Sequence, residues 1–153
     1  MNNTLGYAAL MLVAGLGIPI MAALNGSLGT KLQSPALAAT ILFSVGWVIA
    51  ITYLLITEGL PPTIYLPETP WYFYLGGLLV MFYILSITWV GPRFGIANAV
   101  AFVLLGQLVA MTCIDHFGLF GAPQYTLGSQ RLMGLFLMAM GVLMVLKTSA
   151  ANT

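Results

Sequence analysis

Five apolar stretches, separated by short connections rich in Gly and Pro, run the length of the chain: about Leu5–Leu28, Leu37–Thr57, Trp71–Val90, Ile96–Ile114 and Ser129–Leu146. Each approaches the roughly 20 mostly apolar residues that carry an α-helix across about 30 Å of hydrocarbon. The runs are continuous, unlike the roughly 10-residue alternating segments of a membrane barrel. The pattern predicts an all-α integral membrane protein with five transmembrane helices, forming a single membrane domain over residues 1–153.

The connections carry their own signals. In Gln33-Ser34-Pro35, Ser34 is placed to cap the second helix and Pro35 to occupy its first position, where a missing N–H costs nothing. Glu58 to Pro70 holds four prolines and is read as a loop. Gly91-Pro92-Arg93-Phe94-Gly95 is read as a tight turn, and Asp115 to Gly128, with three glycines and one proline, as the last loop. The first apolar run is longer than the 7–15-residue core of a signal peptide and has no basic residue before it, so it reads as a membrane span.

Composition sharpens the picture. Hydrophobic residues make up 61% of the 153 and charged residues 5%, against roughly 25% charged in soluble proteins. Too little charge is present to cover a soluble surface. A single cysteine, Cys113, excludes an intrachain disulfide, and a single histidine, His116, leaves no His-rich metal site. Four bases and three acids cannot form a nucleic-acid groove. No phosphate-binding glycine loop or Ser–His–Asp set is present, so neither a cofactor nor a catalytic apparatus is expected.

The seven charges also bear on topology. With five spans, Lys31, Arg93 and Lys147 share one side, while Arg131 lies on the other with Glu58, Glu68 and Asp115. Positive residues favour the cytoplasm, which predicts an outer N-terminus and a cytoplasmic C-terminus. So low a charge count also permits insertion in both senses. Trp71, Tyr72 and Tyr74 at the start of span three, with Trp89 near its end, form the aromatic belts that anchor a span at its two interfaces.

Polar groups inside hydrocarbon cost several kcal/mol unless partnered, so those deep in a span are informative. Thr40, Ser44 and Trp47 share one face of span two, and Tyr83 and Ser86 share one face of span three. Asn25 lies six residues after Pro19, whose ring frees a carbonyl in span one. Gln107 is near the middle of span four, where it either ties two helices together or meets a ligand. Asn98 lies on the opposite face of the same span. Ala22-x-x-x-Gly26 and Gly106-x-x-x-Ala110 fit close helix packing, as does the heptad pair Gly134 and Gly141. Asp115-His116 either titrates as a gate near neutral pH or simply ends a helix at the interface. No fixed charge lies well inside a span.

Several strings taken together resemble the YdcZ-like family of the drug/metabolite transporter superfamily. They are Ala23-Leu24-Asn25-Gly26-Ser27-Leu28-Gly29, Ser34-Pro35-Ala36, Phe43-Ser44-Val45-Gly46, Gly91-Pro92-Arg93-Phe94-Gly95, Gly106-Gln107, Asp115-His116-Phe117-Gly118-Leu119-Phe120-Gly121 and Arg131-Leu132-Met133-Gly134. Ala23 departs from the polar residue expected before the Leu-Asn pair. The resemblance implies a small inner-membrane transporter, an exporter, resembling one half of a ten-span inverted-repeat relative. Such transporters hold substrate near the midplane between repeats, so the implied partners are the bilayer, a small-molecule substrate and a second five-span unit: an inverted copy or a homologous chain.

On this reading Asn25, Ser44, Trp47, Tyr83 and Gln107 form the substrate pocket, suited to neutral or amphipathic solutes. Gly91, Pro92, Gly95, Asp115 and His116 form the gates or hinges, because glycine absorbs backbone change. An accessory subunit that stabilises another membrane protein is the competing reading. A lipid-acting enzyme would need paired acids or a metal site that Asp115-His116 alone does not supply.

Overall fold

The structure is a computed structural model that describes residues 2–63, 68–125 and 128–150, with only the backbone described at 2, 3, 131 and 145–150. The side chains of Arg131 and Lys147, two of the four cations that set the expected orientation, therefore lie outside the described residues. No strand occurs among the described residues, and the chain is built of five helices: α1 (Asn2–Lys31), α2 (Pro35–Thr57), α3 (Gly76–Phe94), α4 (Ile96–Phe117) and α5 (Ser129–Ala150). The first four are long and apolar enough to cross a membrane, α3 counted with the 3₁₀ turn Trp71–Leu75 that leads into it. The described apolar part of the fifth, Leu132–Met144, is shorter.

The helix ends follow from local chemistry. Ser34 is extended at φ −149° and its hydroxyl accepts from the Leu37 N–H at 3.1 Å, with Pro35 opening α2. α4 stops at Gly118, which is left-handed at φ +60° and donates its N–H to the Ile114 carbonyl. That conformation suits glycine because it carries no Cβ to clash.

One boundary differs from the sequence expectation. Gly91 to Gly95 is not a tight turn: α3 continues through Pro92 to Phe94, and the break before α4 is confined to Gly95 at φ +89°. Side chains make this possible by satisfying carbonyls at the helix end. The Arg93 guanidinium donates to the Trp89 carbonyl, and the Asn98 amide donates to the Phe94 carbonyl at 2.9 Å. α4 likewise runs to Phe117, which puts Asp115 and His116 on its last turn rather than in a loop.

By internal packing the chain forms two compact units, Met1–Arg93 and Phe94–Thr153. In the first, α1 packs on α2 and touches α3, with a core of small and branched side chains: Ala22, Ala38, Ala39, Ile84 and Ile87 are all buried. In the second, α4 packs on α5 and on the 3₁₀ turn Leu119–Gly121. Small residues at these contacts let the backbones approach, which matters in a bilayer because lipid tails are as apolar as leucine and hydrophobic burial drives little helix association.

Candidate functional site

The polar centre of the first unit is Thr88, which is buried on α3. Its hydroxyl accepts a hydrogen bond from the buried Asn25 amide of α1 at 2.5 Å. Its methyl group lies so close to Gly29 that a Cβ there would be 2.8 Å away. One α1 turn earlier, a Cβ on Gly26 would sit 3.4 Å from the Pro92 ring. Asn25, Gly26 and Gly29 thus lie on one α1 stripe against Thr88 and Pro92, two positions one turn apart on α3. Pro92 also has no N–H to offer the Thr88 carbonyl four residues earlier.

A second feature runs along α2. Thr40, Ser44 and Trp47 line an open trough of about 950 Å³ together with Leu42, Phe43 and, from α3, Met81. The hydroxyls here turn back on their own helix: Thr40 donates to the Ala36 carbonyl at 2.9 Å and Ser44 to the Thr40 carbonyl at 2.8 Å. Each oxygen keeps lone pairs for a further donor. Trp47 is 67% exposed, its indole projecting from the helix rather than packing into the unit. The trough contains no charged residue and its walls are mostly apolar.

Of the five residues chosen from the sequence for a pocket, Ser44 and Trp47 share this trough. Asn25 is occupied instead by Thr88. Tyr83, half-buried on α3, is not among the trough residues, and its hydroxyl has no partner among the described residues. Gln107 belongs to the second unit and is exposed on α4, its amide without a partner among the described residues.

The gate residues fall in two places. Gly91 is buried and Pro92 lies inside α3, with Gly95 at the break between α3 and α4. Asp115 and His116 are anchored by the segment that folds back after α4: the Tyr125 N–H donates to the Asp115 carbonyl at 2.9 Å, and the Gln124 amide to the His116 carbonyl at 2.9 Å. The His116 ring stands edge-on to Phe117 at 4.9 Å. This return depends on left-handed backbone at Gly118, Phe120 and Gly121. In the same unit α4 and α5 enclose a smaller apolar groove of about 360 Å³, lined by Leu108, Thr112, Cys113, Leu132 and Phe136 among others.

Sequence reasoning missed Thr88, whose partner is 63 residues away in the chain. The signal that could have found it was Pro92, one turn later on the same face. Met81, one of nine methionines, carried no signal at all. Among the described residues no group of three or more His, Cys, Asp or Glu side chains could hold a metal ion.

The sequence profile of the family described as "Putative inner membrane exporter, YdcZ" matches residues 6–144. No curated protein and no solved structure matches the chain significantly. The match spans all four long apolar helices almost entirely and the apolar part of the fifth. The chain is accordingly a multi-pass inner-membrane protein, and it belongs to the YdcZ family of inner-membrane exporters.

Proposed function

We propose that the chain exports a small neutral or amphipathic solute by alternating access, working as a dimer in which the partner closes the trough along α2. The observation that carries this reading is the trough itself. It has aromatic and hydroxyl groups along a helix of membrane-crossing length, no charged lining residue, and an open mouth. Ser44 and Thr40 offer lone pairs to a donor on the solute, and Trp47 offers a flat apolar surface. Tyr83 and Gln107 remain further proposed contacts, each within its own unit, whereas the Asn25 amide is given to Thr88. Gln107 supports the dimer as well, because an unpartnered amide in hydrocarbon costs several kcal/mol until something pairs with it.

The hinge of the proposed cycle is Gly91–Gly95. The boundary between the two compact units falls within it, at Arg93 and Phe94, and Gly95 is the single non-helical residue between α3 and α4. Asp115 and His116 serve as the second gate. The proposed orientation, with the N-terminus outside and the C-terminus cytoplasmic, puts Lys31 and Arg93 inside and Glu58 and Glu68 outside. The inverted-repeat architecture then requires a unit of opposite sense, either an inverted copy or a homologous chain.

Purified protein in liposomes tests the reading. Wild type should support substrate-dependent flux, while Trp47→Ala and Gln107→Leu should abolish it and still elute as folded protein in detergent. Flux at the wild-type rate in Gln107→Leu removes that residue from the site. Absence of flux from the wild-type chain, with strict co-purification of a larger membrane partner, would replace the transporter by an accessory subunit.

A further inference from the structure

At the end of the first unit where α1 turns into α2 and α3 finishes, a separate cavity of about 470 Å³ opens, lined by Gly29, Gln33, Pro35, Thr88, Pro92 and Arg93, with Thr30 beside them. Its volume lies within the roughly 300–1,000 Å³ of small-molecule sites. It shares no residue with the α2 trough.

Charge gives the cavity a direction. Arg93 stacks over the Trp89 ring at 4.8 Å and donates one N–H to the Trp89 carbonyl. A guanidinium has five N–H donors, so most remain. Among the described residues no carboxylate pairs with it. The acids of this unit, Glu58 and Glu68, lie at the opposite helix ends, roughly 35 Å away along the 23-residue α2. Lys31 adds a second cation at the near end. Two helix C-termini and one N-terminus meet there, and their dipoles sum to about half a negative charge. Two cations outweigh that. The Gln33 amide, without a side-chain partner among the described residues, supplies a further donor at the rim, whereas the Thr30 hydroxyl is taken by the Gly26 carbonyl at 3.0 Å.

We propose that this cavity binds an anionic phosphate group, with Arg93 as counter-ion and Gln33 as a neutral donor beside it. The contact with Trp89 restrains the guanidinium while leaving most of its donors unused, and its planar fork is the shape that phosphate oxygens match. The position at a helix end, beside an aromatic belt residue, is the depth of lipid headgroups. The phosphate therefore comes either from an anionic lipid or from a phosphorylated solute.

Trp89 provides the readout, because an anion drawn to Arg93 alters the charge over the indole. The full chain in neutral detergent is titrated with dioctanoyl phosphatidylglycerol, dioctanoyl phosphatidylcholine and inorganic phosphate while tryptophan emission is followed. Phosphatidylglycerol should give a saturable change at about tenfold lower concentration than phosphatidylcholine, because the choline cation of the latter offsets the charge of its phosphate beside Arg93. The change should vanish in Trp89→Phe and in Arg93→Gln, and persist in Lys31→Gln. If inorganic phosphate reproduces the phosphatidylglycerol change, the site takes the free anion as well; if only the lipid gives it, the site takes the headgroup. Equal responses to the two lipids, or a response that survives Trp89→Phe, overturns the proposal. So does equal loss in Lys31→Gln and Arg93→Gln, which would mark diffuse surface charge. Should Arg93→Gln fail to fold, the wild-type comparison of the two lipids still decides.

Discussion

Thr88 is the residue on which most of the first unit's specificity converges. Its oxygen accepts from Asn25, its methyl fills the space left by Gly29, and Pro92 leaves its carbonyl without the usual helical partner. Both hydrogen-bonding side chains are buried. Removing one partner therefore strands the other where no water can replace it. Thr88→Val keeps the shape and the methyl group but loses the acceptor. It should lower stability by about 1–3 kcal/mol, read as a reduced denaturation midpoint in detergent. Thr88→Ser should retain most of the wild-type midpoint, since it keeps the acceptor. A midpoint for Thr88→Val equal to wild type would show that the Asn25 amide finds another partner.

At the scale of helices, the glycines separate into those that permit contact and those that do not. A Cβ on Gly29 would lie 2.8 Å from the Thr88 methyl and 3.4 Å from the Pro35 backbone, whereas a Cβ on Gly46 meets nothing within 4 Å. Gly29→Ala should force α1 away from α3 at a cost of about 1–3 kcal/mol, the usual penalty for overpacking. Gly46→Ala should be neutral or slightly stabilising, because alanine is the better helix former. Equal midpoints for the two variants would remove Gly29 from the packing account. The sequence named Ala22-x-x-x-Gly26 as a close-packing pair and passed over Gly29, the tighter position. Spacing identifies a stripe of small residues, but the partner helix decides which one is touched.

The helix ends teach a related point. Proline and two glycines predicted a turn over Gly91 to Gly95, yet α3 persists to Phe94. Proline in a helix loses one hydrogen bond, and here Arg93 and Asn98 supply donors to carbonyls nearby. Asn98 is read from the sequence as facing away from Gln107, one of the two serving a helix–helix or subunit contact. Its amide contact to the Phe94 carbonyl depends on the positive φ of the intervening Gly95, which the sequence pattern does not report.

For the molecule as a whole, the scarcity of charge governs orientation. Substituted cysteines in a Cys113→Ala background test it, Cys113 being exposed and otherwise reactive. Glu58→Cys should label from outside with a membrane-impermeant maleimide, and Gln33→Cys only after permeabilisation. A minor population with the reverse pattern is the expected mark of an inverted partner copy. A single orientation together with exclusively parallel homodimer cross-links would sink the inverted-dimer architecture.

Much of this protein was determined by its sequence alone. Continuous apolar runs of bilayer length define membrane helices, because the bilayer leaves a backbone few other ways to satisfy its polar groups. The Ser34-Pro35 cap was legible for the same reason, since it depends only on neighbours three residues apart. The tertiary structure decided what depends on distant partners. Asn25 stood out as a polar residue in a span, but only packing gave it to Thr88 rather than to a solute-facing surface. Ser44 and Trp47 were legible as one helical face, while the trough they line needed Met81 from another helix. Polarity and period are local properties of a chain; the pairing of a buried donor with its acceptor is a property of two helices that the chain brings together.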